Sequence, residues 1–192
     1  MIYILNEKIR ELRIAHGYNQ VDFAKNELAS FDKVKAIVVG GKTRYESAKI
    51  GFSSIDNTSE FVAMHDSARC FVTEDIIKSV IADAIKYGAA TAASSVTDTL
   101  KVIDSDFSIE ATLDRNTVVA VQTPQIFATR LYKEALESVG EDTAKITDDN
   151  MLLESIGVKV HCTITDKSNI KLTTEDDIQY ANYLLNLEKK NG

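Results

Sequence analysis

The stretch Val34–Ser47, VKAIVVGGKTRYES, decides the fold. Val34 to Val39 is a continuous apolar, β-branched run, the pattern of a strand buried on both faces. Gly40 and Gly41 end it, and a polar run leads on. The turn after it is read either as a ligand-facing loop, with the Ser47 hydroxyl offered to a base or ribose, or as a tight strand-to-helix turn capped by Ser47.

Outward from this stretch, strand and helix alternate. Phe61 to Met64 is a second apolar strand followed by a polar loop. Thr73 then caps a helix with Glu74 and Asp75 in its first turn and Ile76, Ile77, Val80, Ile81 and Ala84 on one face, ending at Gly88. A strand of small residues runs from Ala89 to Val96. The pieces TLKVI and SIEATL flank Asp104-Ser105-Asp106, which predicts a hairpin arm at about 97–117. Further strands are expected at Val118 to Val121 and Val158 to Ile164. Helices are expected from about Ala128 to Val139 and from about Asp148 to Ile156. A last helix starts near Thr174, with Ile178, Ala181, Leu184 and Leu185 on one face. This alternation predicts an α/β fold, a mainly parallel sheet covered by helices. Residues 31–192 form that domain.

Residues 1–30 read as a helical appendage. Asn6 to Leu28 has the pattern of helix–turn–helix, and KIRELRIAHGYNQVDFAKN resembles the opening two helices of a repressor-type DNA-binding domain. No recognition helix follows, so nothing is provided for the major groove. The net charge of -7 also disfavours nucleic acid or an anionic membrane as the main partner. Cys70 and Cys162 match no metal-ligand spacing and are too few for a disulfide framework. With no signal peptide and no long apolar run, the expected location is the cytoplasm.

Polar clusters follow the strand ends, where open α/β sheets bind ligands. In His65-Asp66-Ser67-Ala68-Arg69, Asp66 is suited to a divalent metal bridging phosphates and Arg69 to a substrate phosphate. A structural Asp–Arg pair explains the spacing equally well. Thr97-Asp98-Thr99 and Asp114-Arg115-Asn116 lie at opposite ends of the arm, as a phosphate clamp or as solvated decoration. The only proline, Pro124, stiffens a loop in Gln122-Thr123-Pro124-Gln125, from which Thr123 points at a ligand. Lys171 lies before a helix N-terminus, suited to neutralising a transferring phosphoryl group.

In this order, GGxxRxxS, HDxAR, DT, DRN, QTPQxF, TDD and NIKLTxEDD resemble the methylerythritol phosphate cytidylyltransferase family, from about Val34 to the C-terminus. The resemblance implies a Rossmann-like nucleotidyltransferase sheet with a β-hairpin dimerisation arm. It implies transfer of a cytidylyl group from CTP to 2-C-methyl-D-erythritol 4-phosphate, with pyrophosphate released, in non-mevalonate isoprenoid precursor synthesis. Carried over by motif, Gly41, Ser47 and Ser67 would contact the nucleotide, and Asp66 would ligate Mg2+. Arg69 and Thr123 would lie around the substrate, and Lys171 would stabilise charge at the α-phosphate. Catalysis would rest on Lys171, Arg69 and Asp66. Thr99 and Arg115 would reach substrate bound to the neighbouring subunit of a homodimer.

The resemblance departs at the N-terminus. The family opens with a strand, a glycine-rich loop and a Pro-Lys-Gln segment that wraps the triphosphate, and nothing of that kind stands before Val34. An N-terminally truncated fold with impaired activity is the expectation. Met1 to Leu5, MIYIL, is expected to patch the bared sheet edge as a strand. The alternatives are a ribitol 5-phosphate cytidylyltransferase and a folded, non-catalytic remnant.

Overall fold

The computed structural model describes residues 2–4, 34–55, 58–140 and 146–191. The helix–turn–helix reading of Asn6 to Leu28 lies outside the described residues. Ile2–Ile4 (β1) runs parallel to Ala36–Val38 (β2), pairing Ile2 with Ala36 and Ile4 with Val38. The strand expected in MIYIL is thus present. The burial expected of Val34 to Val39 is not: β2 is only half-buried and Val39 is 71% exposed. The physical reason is its neighbourhood, because β1 and β2 form a two-stranded sheet of their own.

The larger sheet is made of Phe61–Met64 (β3), Ala89–Ser95 (β4), Val119–Ala128 (β7) and His161–Ile164 (β8). Their order across it is β3-β7-β4-β8. Strand β7 is antiparallel to both β3 and β4, while β4 and β8 are parallel. Three of the four strands therefore point the same way, which brings the segments after β3, β4 and β8 to one edge of the sheet.

Helices cover both faces: Arg44–Ser53 (α1), Glu74–Tyr87 (α2), Thr129–Ser138 (α3), Asn150–Ser155 (α4) and Glu175–Asn191 (α5). On one face Ile76, Val80 and Ala84 of α2 pack with Ala90, Ala92 and Ile126. On the other, Tyr45, Tyr132, Leu136, Leu152 and Leu153 pack with Val62, Ala89 and Phe127. Strand period two explains the division, with Ala89 and Ala90 facing opposite ways. Small side chains along β4 let helices approach from both sides.

Thr73 caps α2 by accepting from the Ile76 N–H, and Gly88 ends it at φ 84°, where a Cβ is disfavoured. Ile77 and Ile81, expected on its buried face, are exposed, because the contact stripe is the i, i+4 row Ile76, Val80, Ala84. On α5 only Ala181 of the expected face is buried, and Ile178 and Leu185 are exposed. Among the described residues, no helix is long and apolar enough to cross a membrane.

Two expected boundaries are corrected. Strand β8 begins at His161, not at Val158. Gln122 to Gln125 is not a loop after a strand but the buried middle of β7. Proline is tolerated there because the ladder is irregular. Thr91 pairs with Gln125 and Ala93 with Val121, so Ala92 faces the three residues Gln122 to Pro124. The Thr123–Pro124 bond is cis.

The arm forms as expected, from Lys101–Ile103 (β5) and Ile109–Thr112 (β6). Asp104 Oδ1 accepts from the Asp106 and Ser108 N–H groups, and Phe107 turns the chain at φ 61°.

Candidate active site

At the edge where β3, β4 and β8 end, Asp66 is the hub. Its Oδ2 lies 2.8 Å from Lys171 Nζ and 4.0 Å from Arg69 Nε. Arg69 is anchored on the far side, where Nη1 donates to the Asn169 carbonyl at 2.8 Å. The Arg69 N–H donates to the Asp66 carbonyl at 2.9 Å, forming a tight turn. The Leu172 N–H donates to the Ala68 carbonyl at 2.9 Å, clamping the Lys171 segment onto that turn. Two cations, Arg69 and Lys171, thus converge on one carboxylate from segments far apart in sequence. Burial lowers the Arg69 pKa, opposed by the Asp66 charge.

Thr123 stands behind this group. It is 5% exposed, and its Oγ1 accepts from the Asp66 N–H at 3.0 Å and meets His65 Nδ1 at 3.0 Å. His65 Nε2 is 3.2 Å from the Arg69 carbonyl, so the imidazole spans the Asp66–Arg69 turn. Burial pushes the His65 pKa down, against the Arg69 carbonyl and the Asp66 charge. Asn169, fully buried, donates from Nδ2 to Gln122 Oε1 and to the Thr123 carbonyl. The Ser67 hydroxyl is buried with no hydrogen-bond partner, a donor and acceptor left open beside Asp66.

Gly41 and Ser47 belong to the β2–α1 turn. Thr43, not Ser47, caps α1, in a capping box with Glu46. Glu46 Oε2 accepts from the Lys42 N–H at 2.5 Å and the Thr43 N–H at 3.3 Å. Ser47 sits in the first turn, its hydroxyl donating to the Thr43 carbonyl at 2.9 Å. Thr99 and Arg115 lie exposed at the base of the arm. Arg115 Nη1 is 3.5 Å from the Thr97 carbonyl, and Lys167 Nζ donates to Thr97 Oγ1 at 3.1 Å. Asp66, Ser67, Arg69, Thr123 and Lys171 therefore form one group, while Gly41 with Ser47 and Thr99 with Arg115 form two others.

Arg44, the arginine of GGxxRxxS, reaches from the Gly41–Ser47 group to Asp149 of TDD, a pairing that the sequence reading did not make. Its Nη2 is 2.6 Å from Asp149 Oδ2, whose side chain is almost wholly buried. Burial depresses the Arg44 pKa, but the charge and hydrogen bond of Asp149, with a further contribution from Asp66, reverse this and leave it raised. No local pattern announces a pair 105 residues apart. His65 and Asn169 were within reach, since both stand inside motifs already marked.

Among the described residues no group of three His, Cys, Asp or Glu side chains could hold a metal ion. One carboxylate between two cations does not make a protein-only metal site. It does fit Mg2+ that arrives with nucleotide phosphates, which takes one or two carboxylates and completes its shell with phosphate oxygens and water.

Comparisons with known proteins identify the family and the fold. The family model described as 2-C-methyl-D-erythritol 4-phosphate cytidylyltransferase matches residues 6–187, reaching into the segment read as an appendage. The enzyme of that name from Syntrophus aciditrophicus is 40% identical over 184 residues, covering 94% of this chain and 79% of the relative. The chloroplastic enzyme of that name from Oryza sativa is 40% identical over 180 residues, 94% of this chain but 61% of its own length. The crystal structure of 4-diphosphocytidyl-2C-methyl-D-erythritol synthase from Anaerococcus prevotii superposes with a TM-score of 0.81 at 32% identity, covering 96% of this chain and 80% of that one. A family match over nearly the whole chain, relatives 40% identical across it and a shared α/β fold give a single conclusion: the chain belongs to the 2-C-methyl-D-erythritol 4-phosphate cytidylyltransferase family.

Proposed function

We infer that this chain transfers the cytidylyl group of CTP to 2-C-methyl-D-erythritol 4-phosphate, releasing pyrophosphate, in non-mevalonate isoprenoid precursor synthesis. The observation that carries this reading is the convergence of Lys171 and Arg69 on Asp66, with Lys171 Nζ 2.8 Å from its carboxylate. A phosphate oxygen of the acceptor attacks the α-phosphorus in line. The bond from that phosphorus to the β-bridging oxygen breaks, and pyrophosphate leaves with the electron pair. No covalent intermediate on the protein is needed, so the residues act by positioning and by neutralising charge.

Lys171 is assigned to the charge developing at the α-phosphate and Arg69 to the acceptor phosphate, for which its planar fork is suited. Asp66 holds both cations in place before the nucleotide enters. Ser67 offers its unpartnered hydroxyl to the nucleotide, with Gly41 and Ser47. Thr123 fixes the Asp66 backbone from behind. Thr99 and Arg115 serve acceptor bound to a second subunit of a homodimer. Mg2+, held by Asp66 and the nucleotide phosphates, supplies further neutralisation of the triphosphate when bound. The reading makes this a cytoplasmic enzyme.

The test is pyrophosphate release with CTP, Mg2+ and methylerythritol phosphate, with calorimetric titration of CTP alongside. Turnover is expected, falling by about a hundred- to a thousandfold in Lys171→Ala and Asp66→Ala. Preference for ribitol 5-phosphate would reassign the acceptor. A folded protein that binds no CTP at millimolar concentration would be the non-catalytic remnant.

A further inference from the structure

Asp149 carries no assigned role in the mechanism above, yet its carboxylate is buried and has a partner on each oxygen. Oδ2 is paired with Arg44, from the turn that holds Gly41 and Ser47. Oδ1 accepts from the Tyr132 hydroxyl at 2.6 Å, and Tyr132 is itself fully buried on α3. The Asp149 N–H donates to Gln125 Oε1 at 3.1 Å, and Gln125 Nε2 donates to Asp148 Oδ2 at 3.2 Å. Gln125 is the residue after Pro124, at the end of the irregular stretch of β7 that carries Thr123. Thr123 in turn accepts from the Asp66 N–H. A continuous path of hydrogen bonds and backbone thus runs from the β2–α1 turn through Asp149 to the backbone of Asp66.

We infer that Asp149 is a positioning residue for the candidate active site, holding the Gly41–Ser47 turn through Arg44 and the Thr123 stretch of β7 through Gln125. The inference rests on the cytidylyl-transfer reading for the ligand that sits between these two walls. Its physical basis is that a buried carboxylate tolerates one arrangement of partners. Moving the Arg44 wall leaves that desolvated charge unmatched. The Asp149 backbone N–H ties the same residue to Gln125 on the β7 wall, so a carboxylate fixed by Arg44 and Tyr132 holds both walls in one register. In a reaction driven by positioning, a shift of about 1 Å costs on the order of a hundredfold.

The experiment compares Asp149→Asn, Arg44→Met, Arg44→Lys and the Asp149→Asn/Arg44→Met double variant. Two readouts are taken, steady-state kinetics per folded molecule and backbone amide exchange without ligand. The single variants should lose about a hundredfold in kcat/KM for CTP, through kcat as well as KM. The double variant should be no worse than Asp149→Asn, because the two residues act as one unit. Arg44→Lys, which keeps a cation, should recover part of the loss. Amide exchange should quicken at residues 40–47 and 122–126 together and stay unchanged in the arm. A lowered melting temperature with kcat/KM of the folded fraction unchanged would overturn the inference. So would additive losses, or exchange that quickens at one wall only. If the wild-type chain turns over no CTP, the functional reading fails and the exchange data alone decide this one. If Asp149→Asn does not fold, the half-exposed Arg44 variants carry the comparison.

Discussion

A Cβ at position 41 would stand 2.3 Å from the Cβ of Glu46 and 2.7 Å from its Oε2. Glu46 cannot retreat without releasing the Lys42 and Thr43 N–H groups that it accepts. Gly41 is therefore a glycine that packs against the cap of α1, in line with the strand-to-helix turn that was one of the two readings of this stretch. Gly41→Ala should cost about 1–2 kcal/mol in a urea unfolding experiment, the worth of a lost cap. It should also raise the KM for CTP, since the displaced turn carries Ser47. Gly140→Ala is the control: a Cβ there meets nothing within 4 Å among the described residues, and the change should stay within about 0.5 kcal/mol. Equal effects at the two positions would remove the packing argument. The cap itself was legible, because Thr43 and Glu46 have the spacing of a capping box. Ser47 drew attention first only because a serine beside a glycine pair has two explanations. Arg44 with Asp149 had no such signal, since their separation in sequence hides the pair until the sheet is assembled.

Elements were most legible where a cap and a periodic face agreed, as in α2. Thr73, the acidic first turn and Gly88 each do there what the sequence implied. They were least legible where burial depends on a distant partner. The apolar run at β2 reads as a core strand, but its surroundings leave it half-buried. The proline in β7 reads as a loop, because nothing local discloses that Ala92 alone faces the three residues around it. Helix α5 gives a test at this scale. Its first turn is organised by Asp177, whose Oδ2 accepts from the Thr173 and Thr174 N–H groups and the Thr173 hydroxyl, all at 2.8 Å. Those bonds, the Thr173 N–H first, lower the Asp177 pKa from 3.8 to about 2. A depressed carboxylate contributes stability that is present above its unfolded pKa and is lost as pH falls through the folded one. The wild-type chain should thus be more stable than Asp177→Asn at pH 5, with the difference closing between 3.8 and about 2. Melting curves across that range, with both proteins at one ionic strength, check it. A gap that persists at the acid end would mean that the side chain acts by geometry and not by charge.

For the whole molecule, the α/β class and the order of motifs followed from alternation alone, and the assembly of a site at one sheet edge followed from β3, β4 and β8 pointing the same way. What alternation does not carry is which surface meets another chain. The arm presents Val102, Ile103, Phe107, Ile109 and Leu113 to solvent, with Phe107 82% exposed at the turn. Among the described residues, strands β5 and β6 are hydrogen-bonded only to each other. A lone two-stranded ribbon is marginally stable in water, and an exposed apolar cluster of this kind marks an interaction surface. The homodimer proposed above puts that surface against a second copy. It also gives Thr99 and Arg115, at the arm's base, a substrate to reach. Sedimentation of the purified chain should show a dimer, and Phe107→Asp with Ile109→Lys should convert it to a folded monomer. Since only the acceptor site is shared, the monomer should show a KM for methylerythritol phosphate raised by about tenfold or more, while CTP affinity stays within about threefold. A monomeric wild type would remove the arm from the proposal, and a monomeric variant with both constants unchanged would show that each subunit holds its acceptor alone.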